Sequence, residues 1–238
     1  MKGVFVTGTD TDCGKTAICL GLMVSLQRQG LNVLGMKPVA SGCERVAAGL
    51  RNEDALRLQA QGSSYVDYDL VCPYSFEPPI APHIAAGRTG VEIELAVIRN
   101  RAHRLAARAD FLVVEGVGGW RVPLGPALSV RDLPLDLGLP VILVVGLKLG
   151  CINHSLLTAE SILASGNRLA GWVANQIEPD MMAREDNLAT LAALLGVPCL
   201  GVVPWLASPD SNQVADRLTL APLPEPQAAK ISGSASPS

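Results

Sequence analysis

The sequence predicts an α/β fold of three layers: a mostly parallel, seven-stranded sheet with helices on both faces. Three observations predict it. Short, uniformly apolar segments, such as Gly3 to Val6, Phe111 to Val114 and Pro140 to Val145, alternate with stretches whose apolar residues recur at helical spacing. Strands that are apolar throughout, rather than at every second residue, belong to parallel sheets buried on both sides. Between the first strand and the first helix lies a loop, Thr7 to Thr16 (TGTDTDCGKT), whose glycine, lysine and threonine stand at the helix start.

Each element follows from its own residues. Gly3 to Val6 is short, apolar and β-branched, so it reads as a buried strand. Ala17 to Gln29 carries Ile18, Leu22 and Leu26 on one helical face, and Gly30 stops it. Asn32 to Met36 is the second strand, ending at Lys37 and Pro38. Asn52 to Gln61 is expected as helix. Ser63 to Gly90 is poor in pattern and rich in proline (Pro73, Pro78, Pro79, Pro82), so it is expected mostly as loop. Glu92 to Arg108 is helical, with Ile93, Val97, Ile98 and Leu105 inward; its Arg99, Arg101, Arg104 and Arg108 read as a solvated face. Asp110 to Glu115 is a strand followed by the glycine loop Gly116 to Gly119. Val130 to Leu137 predicts a short helix, and Pro140 to Val145 the most hydrophobic, central strand. A helix from Asn153 to Ala164 follows, capped by Asn153 or Ser155. Leu169 to Ala174 is strand, Ala183 to Leu195 helix and Cys199 to Val203 the last strand. Residues 1–220 are expected as one domain, and the proline-, alanine- and serine-rich residues 221–238 as a disordered tail.

Composition narrows the function. The 238 residues are 49% hydrophobic, enough for one large core. Net charge is −3 and no basic stripe appears, which argues against nucleic acid as the partner. No apolar run approaches the roughly 18–20 residues that span a bilayer, so no membrane partner is expected. The first strand begins at once and leaves no room for a secretion signal. The six cysteines, at 13, 19, 43, 72, 151 and 199, show no C-x-x-C spacing. They are expected as free thiols in a reducing, cytoplasmic compartment.

Strand, glycine loop, Gly14-Lys15-Thr16 and helix form the layout of a phosphate-binding P-loop. Gly14 lets the backbone approach an anion, and free amides at the helix start point at phosphate with the helix dipole behind them. Lys15 adds a cation for the outer phosphates, and Thr16 a hydroxyl for Mg²⁺. The loop departs from the usual spacing: Thr9 stands where the first glycine belongs, and that glycine is one place earlier, at Gly8. Glu115, ending an apolar strand, supplies a second hard oxygen ligand of the Walker-B type. In an open parallel sheet, ligands bind beyond the carboxyl ends of the strands. The phosphate loop, Lys37, Glu115, the loop after Val145, Asn175 and Pro204 all fall there and are expected on one rim.

Seven blocks carry a family resemblance: GTDTDCGKT at Gly8 to Thr16, KPVASG at Lys37 to Gly42, RNED at Arg51 to Asp54, PHI at Pro82 to Ile84, VEGVGGW at Val114 to Trp120, PVILVVGLKLGCINH at Pro140 to His154 and GWVAN at Gly171 to Asn175. Together they resemble the dethiobiotin synthetase family, from Phe5 to about Leu206. The long block through Cys151 to His154, with Lys37 to Ser41 at its proper distance, is the selective part. The resemblance implies an ATP-dependent cyclo-ligase that converts 7,8-diaminononanoate, CO₂ or bicarbonate and MgATP into dethiobiotin, ADP and phosphate, working as a homodimer with each site at the subunit interface.

The resemblance also assigns residues. It implies Lys37 and Lys15 as the catalytic cations, and Thr16, Asp54 and Glu115 as the Mg²⁺ ligands. Nucleotide contacts fall to Asp12, Cys13, Gly14, Lys15, Thr16 and Ala17, to Asp54, Glu115, Gly116, Val117 and Gly118, and to Asn175, Gln176, Pro204, Trp205 and Leu206 around the base. Substrate contacts fall to Thr11, Lys37, Ser41 and Gly118, with Gly150, Cys151 and Asn153 near the subunit interface for the substrate's carboxylate. Two departures stand out: Asp12 replaces the glutamate common in relatives, and Asn187 replaces a tyrosine. The competing reading is a P-loop ATPase switch of the partitioning or cell-division type. Such switches carry an extra lysine five places before the Gly-Lys lysine, where this chain has Asp10.

Overall fold

The computed structural model describes residues 1–219. In chain order, β1 (Gly3–Gly8) leads into α1 (Lys15–Arg28), and β2 (Val33–Met36) into β3 (Val39–Ser41). A small hairpin of β4 (Glu44–Val46) and β5 (Gly49–Arg51) precedes α2 (Glu53–Gln61) and α3 (Tyr68–Val71). Next come β6 (Tyr74–Phe76), α4 (Pro82–Thr89), α5 (Leu95–Ala106), β7 (Phe111–Glu115) and α6 (Asp132–Leu137). The chain continues through β8 (Val141–Leu147), α7 (Cys151–Ala164), β9 (Leu169–Gln176), α8 (Arg184–Leu194), β10 (Cys199–Val203) and α9 (Ser211–Ala215).

The main sheet is parallel throughout, in the order β10-β9-β8-β1-β7-β2. Every residue of β1, β2, β7 and β8 is buried, so both faces of the middle strands are covered. That burial is why these strands are apolar without alternation. α1 packs with α2 and α9, α5 with α3 and α6, and α7 with α8. Among the described residues no helix is long and apolar enough to cross a membrane. All six cysteines are free, and only Cys199 is exposed.

Among the described residues the sheet has six strands where seven are expected. Six segments are long and apolar enough to join it; the three-residue β3 and β6 pair with each other instead. Ser63 to Gly90 is not mostly loop, for it holds α3, β6 and α4. The prolines mislead there, because Pro82 occupies the first turn of α4, where a missing N–H costs nothing. α7 begins at Cys151 and is capped by Gly150 in a left-handed conformation (φ 93°), not by Asn153 or Ser155. The tail expected from Ala221 lies outside the described residues.

Candidate active site

The parallel register builds the centre of the site. β1 pairs Val6 with Glu115, and β2 pairs Met36 with Val114. Glu115 therefore ends its strand between the phosphate loop on one side and Lys37 on the other. The Lys37 ammonium donates to Glu115 Oε1 at 2.7 Å and to Asp54 Oδ2 at 2.5 Å. The Thr16 hydroxyl donates to the same Glu115 oxygen at 2.8 Å. Asp54 reaches the cluster from the first turn of α2, a helix capped by the Asn52 side chain on the Ala55 amide.

Charge holds this cluster together inside the protein. Glu115 is 1% exposed and Lys37 5%. Burial opposes the Lys37 charge, but the Glu115 and Asp54 carboxylates and their hydrogen bonds outweigh it and raise its pKa above the ordinary value. Burial likewise opposes ionisation of Asp54; the Lys37 charge and hydrogen bond, with help from the Thr16 hydroxyl and Arg57, hold its carboxyl below the ordinary value. Glu115 Oε2 is buried with no hydrogen-bond partner among the described residues. A buried carboxylate oxygen left over beside a hydroxyl and a second carboxylate is a donor set suited to a hard divalent cation.

The phosphate loop lies next to this cluster. Gly14 has φ +90°, and a methyl there would stand 2.1 Å from Asn175 Nδ2. That amide donates to Cys13 O at 2.9 Å, so β9 grips the loop directly. Lys15 is buried, with its ammonium 2.8 Å from Asp10 O. Asp12 is held in the left-handed region at φ 57°. A cleft of about 210 Å³ opens beside the loop, lined by Asp12, Gly14, Ala17, Asn175, Gln176, Pro204, Trp205 and Leu206 among others. The tertiary structure thus gathers the expected base-binding residues from both ends of the chain. The Gln176 amide nitrogen is already committed, donating to Glu178 O and Pro179 O.

The glycine loop after β7 faces the phosphate loop. Gly116 N donates to Val6 O at 2.9 Å, and a methyl on Gly116 would press on the Phe5 ring. Val117 is partly buried against the core. Gly118 has φ +59° and lies close to the Thr11 hydroxyl, which would be 3.8 Å from a methyl there. Ser41 ends β3, and its hydroxyl is buried without a partner among the described residues. Gly150, Cys151 and Asn153 follow β8, three strand positions from β2. β1 and β7 lie between β8 and β2, so these residues leave the sheet on a different strand from Lys37. Cys151 is buried, and its thiol donates to Asn187 Oδ1 at 3.8 Å.

One group on the rim lies within a motif but was given no role by the sequence. Lys148, just past β8, donates to Asp10 Oδ2 at 2.9 Å. It lies one residue beyond β8, as Lys37 lies one beyond β2 and Pro204 one beyond β10, and that placement was the available signal.

Comparison with known proteins bears on the family and the fold. A family model described as an AAA domain matches residues 2–213. The ATP-dependent dethiobiotin synthetase BioD of Pseudomonas paraeruginosa is 54% identical, over 94% of this chain and 98% of its own. That of Aromatoleum aromaticum is 50% identical, over 91% and 96%. Among solved structures, the MinC:MinD cell division protein complex of Aquifex aeolicus superposes with a TM-score of 0.56 at 14% identity, over 91% of this chain and 86% of that one. The 54 kDa signal recognition particle protein of Aeropyrum pernix K1, in complex with GDP, superposes with a TM-score of 0.53 at 16% identity, over 89% and 42%. At such identity the two structures speak for the shared fold alone. By its sequence over nearly the full length of these relatives, the chain belongs to the ATP-dependent dethiobiotin synthetase family.

Proposed function

We propose that this protein is a cytoplasmic, homodimeric dethiobiotin synthetase, whose single domain closes the cyclic urea of dethiobiotin from 7,8-diaminononanoate, CO₂ and MgATP. The observation that carries the reading is the contact of Lys37 with both Glu115 and Asp54, beside Thr16 and Lys15 on one rim.

In the reaction, one substrate amine attacks CO₂ and loses a proton, forming a carbamate. A carbamate oxygen takes the γ-phosphoryl group, and ADP leaves. The second amine attacks the carbonyl carbon of that mixed anhydride, phosphate leaves and the ring closes. The hard step brings a carbamate anion to a polyanionic triphosphate, so neutralisation by fixed charge dominates catalysis. Lys15 and Lys37 supply two ammonium groups at the meeting point. Main-chain amides from Gly14 onward receive the phosphates, and the cleft by Asn175 and Pro204 seats the base. The unpartnered Ser41 hydroxyl is free to donate to the carbamate.

Thr16, Asp54 and Glu115 would hold Mg²⁺. The buried, unpartnered Glu115 Oε2 supports that assignment, and two carboxylates with a hydroxyl leave room for the waters and phosphate oxygens that Mg²⁺ retains. When bound, the ion adds positive charge against the β- and γ-phosphates. In the dimer, Gly150, Cys151 and Asn153 of one protomer serve the substrate carboxylate of the other; their place after β8, separated by two strands from β2 and Lys37, supports that division.

The test is direct. Purified protein given the diamine, bicarbonate and MgATP should form dethiobiotin with matching phosphate release. ATP turnover indifferent to the diamine would support the switch reading instead.

A further inference from the structure

β8 braces the phosphate loop along one edge. Thr9 N donates to Val144 O at 3.0 Å, and the Thr9 hydroxyl accepts from Gly146 N at 3.4 Å. Two residues further, Lys148 donates to Asp10 Oδ2 at 2.9 Å. Val144, Gly146 and Lys148 stand at alternate positions, so β8 and the residue just past it contact Thr9 and then Asp10. Asp10 passes this anchoring inward. Its other carboxylate oxygen accepts the Thr11 amide at 2.8 Å, and its carbonyl accepts the Lys15 ammonium at 2.8 Å. Beyond Asp10 the loop tip is exposed, and Asp12 adopts a left-handed conformation that side-chain-bearing residues rarely hold unaided.

We propose that Lys148 is a positioning residue for nucleotide binding: by clamping Asp10, it fixes the loop tip that presents Thr11 and Lys15 to the phosphates. Lys148 acts through Asp10 and touches no reacting atom. The inference deepens the ATP-dependent reading above and rests on it. The hydrogen bond from Lys148 outweighs burial and, with the Thr11 amide and the Lys148 charge, keeps the Asp10 carboxyl below its ordinary pKa. Both side chains are part-exposed, 31% and 50%, so the clamp is modest and its removal leaves the fold intact.

Calorimetric titration of the full chain with MgATP tests the clamp without turnover. Lys148→Met should raise the ATP dissociation constant about three- to fivefold, the range of an exposed ion pair. Lys148→Arg should restore it to within about twofold, and kcat for dethiobiotin should move less than about twofold in Lys148→Met. Asp10→Asn should match Lys148→Met, and the double variant should be no worse than either alone. Unchanged affinity in Lys148→Met would overturn the proposal. So would multiplying effects in the double variant, which would mean that Lys148 meets the nucleotide itself. A fall in kcat at constant affinity would also overturn it. If the wild type binds ATP but forms no dethiobiotin, the proposed function fails while the clamp is still measured.

Discussion

Lys37 and Glu115 are neighbours because β2 and β7 run parallel in a register that pairs Met36 with Val114. Each is the next residue along its strand, and their charges meet at 2.7 Å inside the protein. The ion pair is thus a direct product of strand pairing at the sheet's carboxyl edge.

Lys37→Ala should lower dethiobiotin formation by about 10²- to 10³-fold, the scale of removing one electrostatic group from a charge-developing reaction. It also leaves the Glu115 carboxylate buried without its cation, which costs about 3–5 kcal/mol. Adding Glu115→Gln should restore much of the melting temperature and none of the turnover. Steady-state assay and thermal melting of the two variants separate the two effects. Near-normal turnover in Lys37→Ala would remove it from the chemistry.

Glu115→Gln keeps the shape and removes a ligand charge. The Mg²⁺ concentration for half-maximal rate should rise at least about tenfold, and the maximal rate should fall with it. Rate profiles against free Mg²⁺ at saturating ATP read both. An unchanged Mg²⁺ profile would exclude Glu115 as a ligand.

Stability should depend on pH through Asp54 and Lys37. The Asp54 carboxyl is lowered from 3.8, so its contribution is present above that value and is lost as pH falls through the lower folded value. Lys37 is raised from 10.5, so its contribution is complete below 10.5 and is lost as pH climbs towards the higher folded value. Denaturant unfolding across the pH range should therefore show a plateau between these limits. Asp54→Asn should flatten part of the acid limb, and an unaltered acid limb would refute the coupling.

The cleft beside the phosphate loop depends on two glycines. At Gly14, alanine would be strained at φ +90° and would strike Asn175, so Gly14→Ala should weaken ATP binding at least about tenfold in calorimetry. At Gly21 on α1, a methyl would stand 2.4 Å from Val214 of α9, and Val214 lines the cleft. Gly21→Ala should cost about 1–3 kcal/mol, or about 2–4 °C of melting temperature per kcal/mol, and should weaken ATP binding. Gly21→Ala with Val214→Ala removes the 2.4 Å contact but keeps the one at 2.9 Å with the residue-214 β-carbon, so it should recover part of both. Failure to recover would mean that the α1–α9 contact does not shape the cleft.

Much of the fold was legible because its signals are local. The apolar run of Phe111 to Val114 and the spacing of Ile18, Leu22 and Leu26 reflect burial of each segment by itself. Two readings failed where local signals compete with context. Pro82 breaks a pattern in sequence yet starts α4 in the fold, and Asn153 looks like a cap although Gly150 already turns the chain. The site divides in the same way. Gly14, Lys15 and Thr16 are contiguous, so their chemistry is written in one loop.

The sequence by itself determined that this is a parallel α/β protein with a phosphate loop, and that its polar residues at strand ends crowd one rim. Only the tertiary structure decided which of them meet: Lys37 with Glu115 and Asp54, Asn175 with Cys13, and Lys148 with Asp10. Burial and helical period depend on neighbours within a few residues. Strand order and register join residues up to 162 positions apart, and no segment encodes its partner alone.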